Sequence, residues 1–227
     1  VLAILTIWVS VETDLFVLIV DLLVPKVDLR AELSGFYLLP NVTATLVPGA
    51  VVPVSPLIGV SLALFLFLVR YPLEGVGFTA RVHLRDLKHA LGGLLAIAVF
   101  AIPVGLGVGF LHYNPVLPNA LELVLGIVGG YLLIALVEEV LFRGIIQNLL
   151  TQRLKDVRIA LPVASVIFGM AHLNNPTPGF AEPNWAYGLL ATAAGLGYGW
   201  VWFRTRKVTV SAITHMLVNL IWGTVFH

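Results

Sequence analysis

The 227 residues include no cysteine. Disulfides and thiolate metal sites are excluded, and the redox compartment leaves no trace in the sequence. Charge is the second shortage. Asp, Glu, Lys and Arg make up 11% of the chain, whereas a soluble domain carries about 25%. So few charges cannot coat a water-exposed surface. With 59% hydrophobic residues and a mean hydropathy of +0.99, membrane is the fitting solvent. A net charge of +1 without a basic stripe excludes nucleic acid as a partner. Glu12 and Asp14 interrupt the first apolar run, so no signal peptide is read there. No long-period repeat or low-complexity tract occurs.

What remains is a series of apolar runs. A spanning helix needs about 20 apolar residues. Segments are predicted at 1–24, 44–69, 89–111, 119–150, 158–173, 184–203 and 208–226. The fold class is all-α: a polytopic membrane bundle of about seven helices, within a range of roughly six to eight. The first segment is unusual in holding Glu12, Asp14 and Asp21. The second holds Pro48, Pro53 and Pro56 before the clean run SLALFLFLV. The stretch 71–88 is too charged to span and is expected to lie along the interface. Residues 1–118 are read as an N-terminal transmembrane region and 119–227 as the helical core that carries the chemistry.

Basic residues alternate between loops. Arg70, Arg81, Arg85 and Lys88 follow the second segment, Arg153, Lys155 and Arg158 the fourth, and Arg204, Arg206 and Lys207 the sixth. Loops 112–118 and 174–183 contain no Lys or Arg. The positive-inside rule places the basic loops in the cytoplasm or an equivalent such as a stroma. Small residues at Ala191, Gly195 and Gly199, and at Gly126 and Gly130, mark faces for close helix packing.

Ionisable groups inside a bilayer cost about 2.5–3.5 kcal/mol each by insertion scales, so they usually face the bundle interior and have a role. Three sets occur here. In EEVLFRG, Glu139 and Arg143 are four apart on one helix face and can pair. Glu138 points about 100° away and lies roughly 18–20 Å from the basic loop, which suits it to take a proton from water. In FGMAH, Phe168 and His172 share a face. In HMLVN, His215 and Asn219 do the same. Taken singly, each set has a plain structural reading: a salt-bridged helix end, a hydrogen-bonded packing histidine, or polar glue between helices. Together they supply a base, two imidazoles and an amide from three helices. By helix rise His215 lies about 10 Å and His172 about 20 Å from their basic loops, so tilt or a kink has to level them. His83, His89, His112 and His227 read as interfacial or solvated.

These three motifs, in this order, resemble the EExxxR, FxxxH and HxxxN signatures of the CAAX-protease and bacteriocin-processing family of intramembrane endopeptidases, over about residues 119–224. The resemblance implies that Glu138 activates water, with Glu139 and Arg143 as its motif partners. It implies that His172 positions the water, and that His215 and Asn219 stabilise the oxyanion. It also implies a membrane-associated protein or peptide substrate, reaching the site laterally or from the cytoplasmic side, with prenylated CAAX-type proteins among the candidates. The family is often called a metalloprotease, with a glutamate mechanism as the rival. From the residues both stand: Glu138, His172 and His215 could hold Zn²⁺, or a Glu base with His and Asn donors could act without metal. The metal-free version is preferred, as no HExxH occurs. The alternative to an enzyme is a non-catalytic membrane subunit, scaffold or chaperone of a larger complex. A small transporter is disfavoured, since no inverted repeat is found.

Overall fold

The structure is a computed structural model describing residues 43–47, 50–53, 65–173, 175, 177–181 and 183–226. The chain separates into two compact units, Val1–Pro72 and Leu73–His227. The segment 1–24, with Glu12, Asp14 and Asp21, lies outside the described residues.

In the first unit, strands β1 (Thr43–Val47) and β2 (Ala50–Pro53) pair antiparallel, and Phe65–Arg70 forms a short wide-turn helix. The expected helix over 44–69 is therefore not continuous. Its first part is rich in Thr and Val on either side of Pro48-Gly49. Branched side chains suit a pleated strand, and a Pro-Gly pair punctuates a helix. Hydropathy alone does not see either preference.

Among its described residues the second unit holds five helices: α1 (Leu84–Gly107), α2 (Ala120–Leu154), α3 (Val157–Met170), α4 (Trp185–Thr205) and α5 (Val208–Val225). Apart from the short hairpin, the described secondary structure is helical. α1, α2 and α5 are long and apolar enough to cross a membrane, and α3 is a shorter apolar helix. Leu91, Leu95 and Val99 form one face of α1 and are 58%, 65% and 69% exposed. Such a face is a liability in water and natural in lipid. This is an integral membrane protein.

Local sequence sets the helix ends. Asn119 and Glu122 cap α2 reciprocally, each side chain accepting the other's backbone N–H at 3.0 Å. Asp156 accepts from Arg158 N–H to start α3, and Asn184 from Tyr187 N–H to start α4. α2 and α4 terminate at Lys155 and Arg206, both in the left-handed region.

α2 is not uniform. Gly130–Ala135 and Val140–Gln147 have the wider i→i+5 turn, flanking the four-residue α stretch Leu136–Glu139. Such wide turns inside α-helices often mark functional positions. None of Ala120–Gly129 is buried, whereas all of Val140–Gln147 is.

α3 packs on α4 through glycines. A Cβ at Gly195 would lie 3.1 Å from Ser165 Cα, and one at Gly169 would lie 2.4 Å from the Gly188 carbonyl. The closeness expected at Gly195 and Gly199 is present, and those positions also expose backbone carbonyls. Arg143 donates to Gly195 O at 3.2 Å and Gln147 to Gly199 O at 3.1 Å. Gly126 and Gly130 differ. A Cβ at either would meet nothing within 4 Å, so the close packing expected there is absent among the described residues.

The stretch expected at the interface, 71–88, divides. Residues 84–88 open α1, and 71–83 form an irregular strap. Its carbonyls accept from Asn148 (Glu74 O, 2.7 Å), Trp202 (Val76 O, 3.2 Å) and Val208 N–H (Gly77 O, 3.1 Å). Lys207 Nζ reaches Arg81 O at 2.7 Å and Asp86 Oδ2 at 2.6 Å. Gly77 has φ +79°, and a Cβ there would lie 2.0 Å from Arg206 O, so only glycine fits.

Candidate active site

Arg143 and Glu139 are buried completely, one turn apart on α2, with Nη1 and Oε1 3.0 Å apart. They are not a self-contained pair. The same Oε1 lies 3.0 Å from His215 Nδ1, and Oε2 lies 2.5 Å from Ser211 Oγ. The Ser211 hydroxyl is also 2.9 Å from the Tyr198 carbonyl. Arg143 Cζ stands 4.4 Å from the Phe168 ring centre. A guanidinium taken from water thus meets a carboxylate, a carbonyl and an aromatic face, the set of partners a buried charge requires.

Glu138 sits on the opposite side of the His215 ring. Its Oε2 is 3.9 Å from His215 Nε2 and 4.0 Å from His172 Nε2. That oxygen is buried and, among the described residues, has no hydrogen-bond partner. The two adjacent glutamates diverge along the helix, and the imidazole, with a nitrogen at each end, connects them. His172 and His215, read from helix rise at different depths, reach the same carboxylate oxygen.

The tautomers follow from the Nδ1 contacts. His172 Nδ1 is 2.8 Å from Phe168 O, and a carbonyl only accepts, so Nδ1 carries the proton. His215 Nδ1 faces the Arg143-paired carboxylate and likewise donates. Both Nε2 atoms then present lone pairs towards Glu138. Three acceptors converging on one place call for a proton donor among them, and water has the right size and two protons.

A metal is a poorer match to this arrangement. Ligands about 2.0–2.1 Å from tetrahedral Zn²⁺ lie roughly 3.3 Å from each other. The carboxylate oxygen is farther than that from both nitrogens. Among the described residues no group of three His, Asp or Glu is arranged to hold a metal ion.

His172, His215 and Asn219 line one cleft of about 790 Å³, counted with its open mouth. Its remaining walls are apolar or aromatic, from α1 and the loop after it, α3, α4, and α5 with the residue that follows it. Glu138 stands behind the two imidazoles and is not part of that lining. His83, His89 and His112 lie away from it, on the strap, on α1 and in the loop before α2.

Residues 119–221 match the family model for Rce1-like proteins, described as type II CAAX prenyl endopeptidase Rce1-like. The match supports membership of the CAAX-protease and bacteriocin-processing family for this region of the chain. No curated protein and no solved structure matches it. All three family motifs fall inside the matched region, and so do two site residues the motif reading passes over. Ser211 stands one turn before His215, so Ser211, His215 and Asn219 form a stripe at i, i+4, i+8 that marks it. Tyr198 stacks on His215 with ring centres 4.5 Å apart and planes 14° from parallel. Nothing in the sequence separates Tyr198 from the other aromatics of α4.

Proposed function

We propose that the protein is an intramembrane endopeptidase that hydrolyses a peptide bond of a membrane-associated protein or peptide by a metal-free glutamate mechanism. The family name points to prenylated CAAX-type substrates. The observation that carries the reading is the unpartnered Glu138 oxygen held between two imidazoles whose tautomers are fixed from behind.

In this mechanism a water sits between Glu138 and His172. Glu138 takes its proton as the oxygen attacks the scissile carbonyl. The Nδ1–H bond of His172 to Phe168 O holds that ring so that Nε2 stays an acceptor for the water. Glu139 orients His215 through Nδ1 and compensates the charge the ring gains when Nε2 is protonated. Glu138 passes that proton to His215 Nε2, and His215 Nε2–H and the Asn219 amide then donate to the oxyanion. That proton returns through Glu138 to the amine as the C–N bond breaks, and a new carboxyl end is released. Arg143 pairs with Glu139 and balances its charge. The basic loops lie in the cytoplasm or its equivalent.

The test is cleavage of a membrane-tethered or prenylated peptide by purified protein in proteoliposomes. Glu138→Gln and His172→Ala should each lower turnover at least about 100-fold, the scale of a general base. Dialysis against a strong chelator should leave turnover within about twofold. Activity that survives in both variants removes this mechanism, and loss on chelation that zinc restores replaces it with a metal mechanism.

A further inference from the structure

The middle of α4 is held through its own backbone by α2 and α5. Gly195 O accepts from Arg143, Tyr198 O from the Ser211 hydroxyl, and Gly199 O from Gln147. Inside a helix each carbonyl already accepts from the residue four positions on, so these bonds use second lone pairs. All six residues are buried. A Cβ at Gly199 would stand 2.6 Å from Gln147 Oε1, so glycine is what lets the α2 donor approach. A side chain mounted on this stretch shifts only if bonds to α2 or α5 break.

The side chain mounted there is Tyr198, which is 1% exposed. Its ring lies flat on the His215 imidazole, with centres 4.5 Å apart and planes 14° from parallel. Phe168 stands nearly at right angles to both rings, 5.8 Å from His215 at 87° and 5.9 Å from Tyr198 at 81°. The imidazole therefore has one wall along its face and another across it.

His215 has to aim two nitrogens at once. Nδ1 meets Glu139 while Nε2 faces Glu138, and both contacts depend on rotation about Cβ–Cγ. That torsion is broad for an sp³–sp² bond, and the bond to Glu139 restrains one nitrogen only. A ring lying flat on the imidazole restrains the plane itself. Its negative π face also attracts a cation, and His215 becomes one when Glu138 passes it a proton.

We infer that Tyr198 is a positioning residue for His215: its ring holds the imidazole in the plane that serves both glutamates, and its face compensates the charge the imidazole gains during turnover. The hold rests on the stacking alone. The charge compensation rests on the protease reading, in which His215 is protonated.

Fluorinated phenylalanines in place of Tyr198 test the charge, because fluorine drains the π face and leaves the ring its shape. Cleavage of a membrane-tethered peptide is followed in proteoliposomes. Tyr198→Leu should lower kcat at least about tenfold, and Tyr198→Phe should recover it to within about threefold. From Tyr198→Phe through the mono-, di- and trifluorinated rings kcat should fall stepwise, about tenfold in all, the scale of a desolvated cation–π contact. KM and the unfolding midpoint should stay level along that series. A kcat that is flat across the fluorinated rings overturns the charge compensation. The hold is read without turnover, in protein isotope-labelled at the histidine nitrogens. The order parameter of the His215 Nδ1–H bond should be about 0.85 in the unsubstituted protein and in Tyr198→Phe, and below about 0.6 in Tyr198→Leu, with His172 unchanged. No change at His215, or equal loosening of both imidazoles, overturns the hold. Should Tyr198→Leu not fold, Tyr198→Met gives the same comparison, and the fluorinated series decides the charge. An unsubstituted protein that cleaves nothing removes the protease reading and the charge compensation with it, and the order parameters still decide the hold.

Discussion

At His215 a single ring meets two neighbouring carboxylates, one at each nitrogen. Glu139 holds Nδ1 and is itself held by Arg143 and Ser211. Arg143→Met would leave Glu139 as a buried charge without its cation. Such a loss costs about 3–5 kcal/mol, and thermal unfolding in detergent should show it. Glu138→Gln should leave the midpoint nearly unchanged, because the Glu138 oxygen facing the imidazoles has no hydrogen-bond partner to lose. A stable Arg143→Met protein would refute the dependence of Glu139 on its cation. Ser211 acts through Glu139. Ser211→Ala removes one hydrogen bond to a charged group, about 1.5 kcal/mol, so kcat should fall about tenfold. KM should stay level, because Ser211 does not line the cleft. An equal rise in KM would mark Ser211 as a packing residue instead.

Among the elements, the α3–α4 contact decides where His172 stands. A Cβ at Gly169 meets the Gly188 carbonyl and the Thr192 hydroxyl, so the helices must part. Gly169→Ala should cost about 1–3 kcal/mol and lower turnover further, because His172 follows three residues later. Gly126→Ala should be neutral or slightly stabilising, since it meets nothing and alanine favours a helix by about 0.8–1.0 kcal/mol over glycine. Unfolding midpoints of the two variants compare these directly. Gly126 and Gly195 look alike in the sequence, each in a small-residue stripe, and of the two only Gly195 meets another helix among the described residues. The stripe is legible, and whether another helix lies on it is not. The helices α1 to α5 were legible from hydropathy. The hairpin at Thr43–Pro53 was not, because valine counts as apolar whether it is helical or extended.

For the molecule as a whole, the strap is what joins α2, α4 and α5 at one end. Lys207 joins it to α1 through Asp86 and to Arg81 O. Lys207→Met should cost about 1.5–3 kcal/mol, the range for hydrogen bonds to a charged group. The loss should concentrate in the strap, as faster amide exchange or proteolysis within 71–83, with the amides of α4 unaffected. Uniform acceleration across the helices would show instead that the lysine supports the bundle generally. The irregular path of the strap was not legible in its sequence, which is charged enough to exclude a span and otherwise unpatterned.

The sequence by itself determined the solvent, the helical class, the order of the three motifs and which loops carry Lys and Arg. These follow from composition, from spacing within one helix and from charge counts, which are local properties. It also placed Glu138, His172, His215 and Asn219 as candidates. Tertiary structure alone decided which nitrogen faces which oxygen, that Glu139 serves His215 as well as Arg143, that Tyr198 lies flat on His215, and how the strap is fastened. Those outcomes depend on contacts between residues far apart in the chain: 72 positions for Ser211 and Glu139, 76 for His215 and Glu139, and 126 for Trp202 and Val76. No pattern within one helix fixes such pairings, because they depend on how the side chains of several helices fill the space between them.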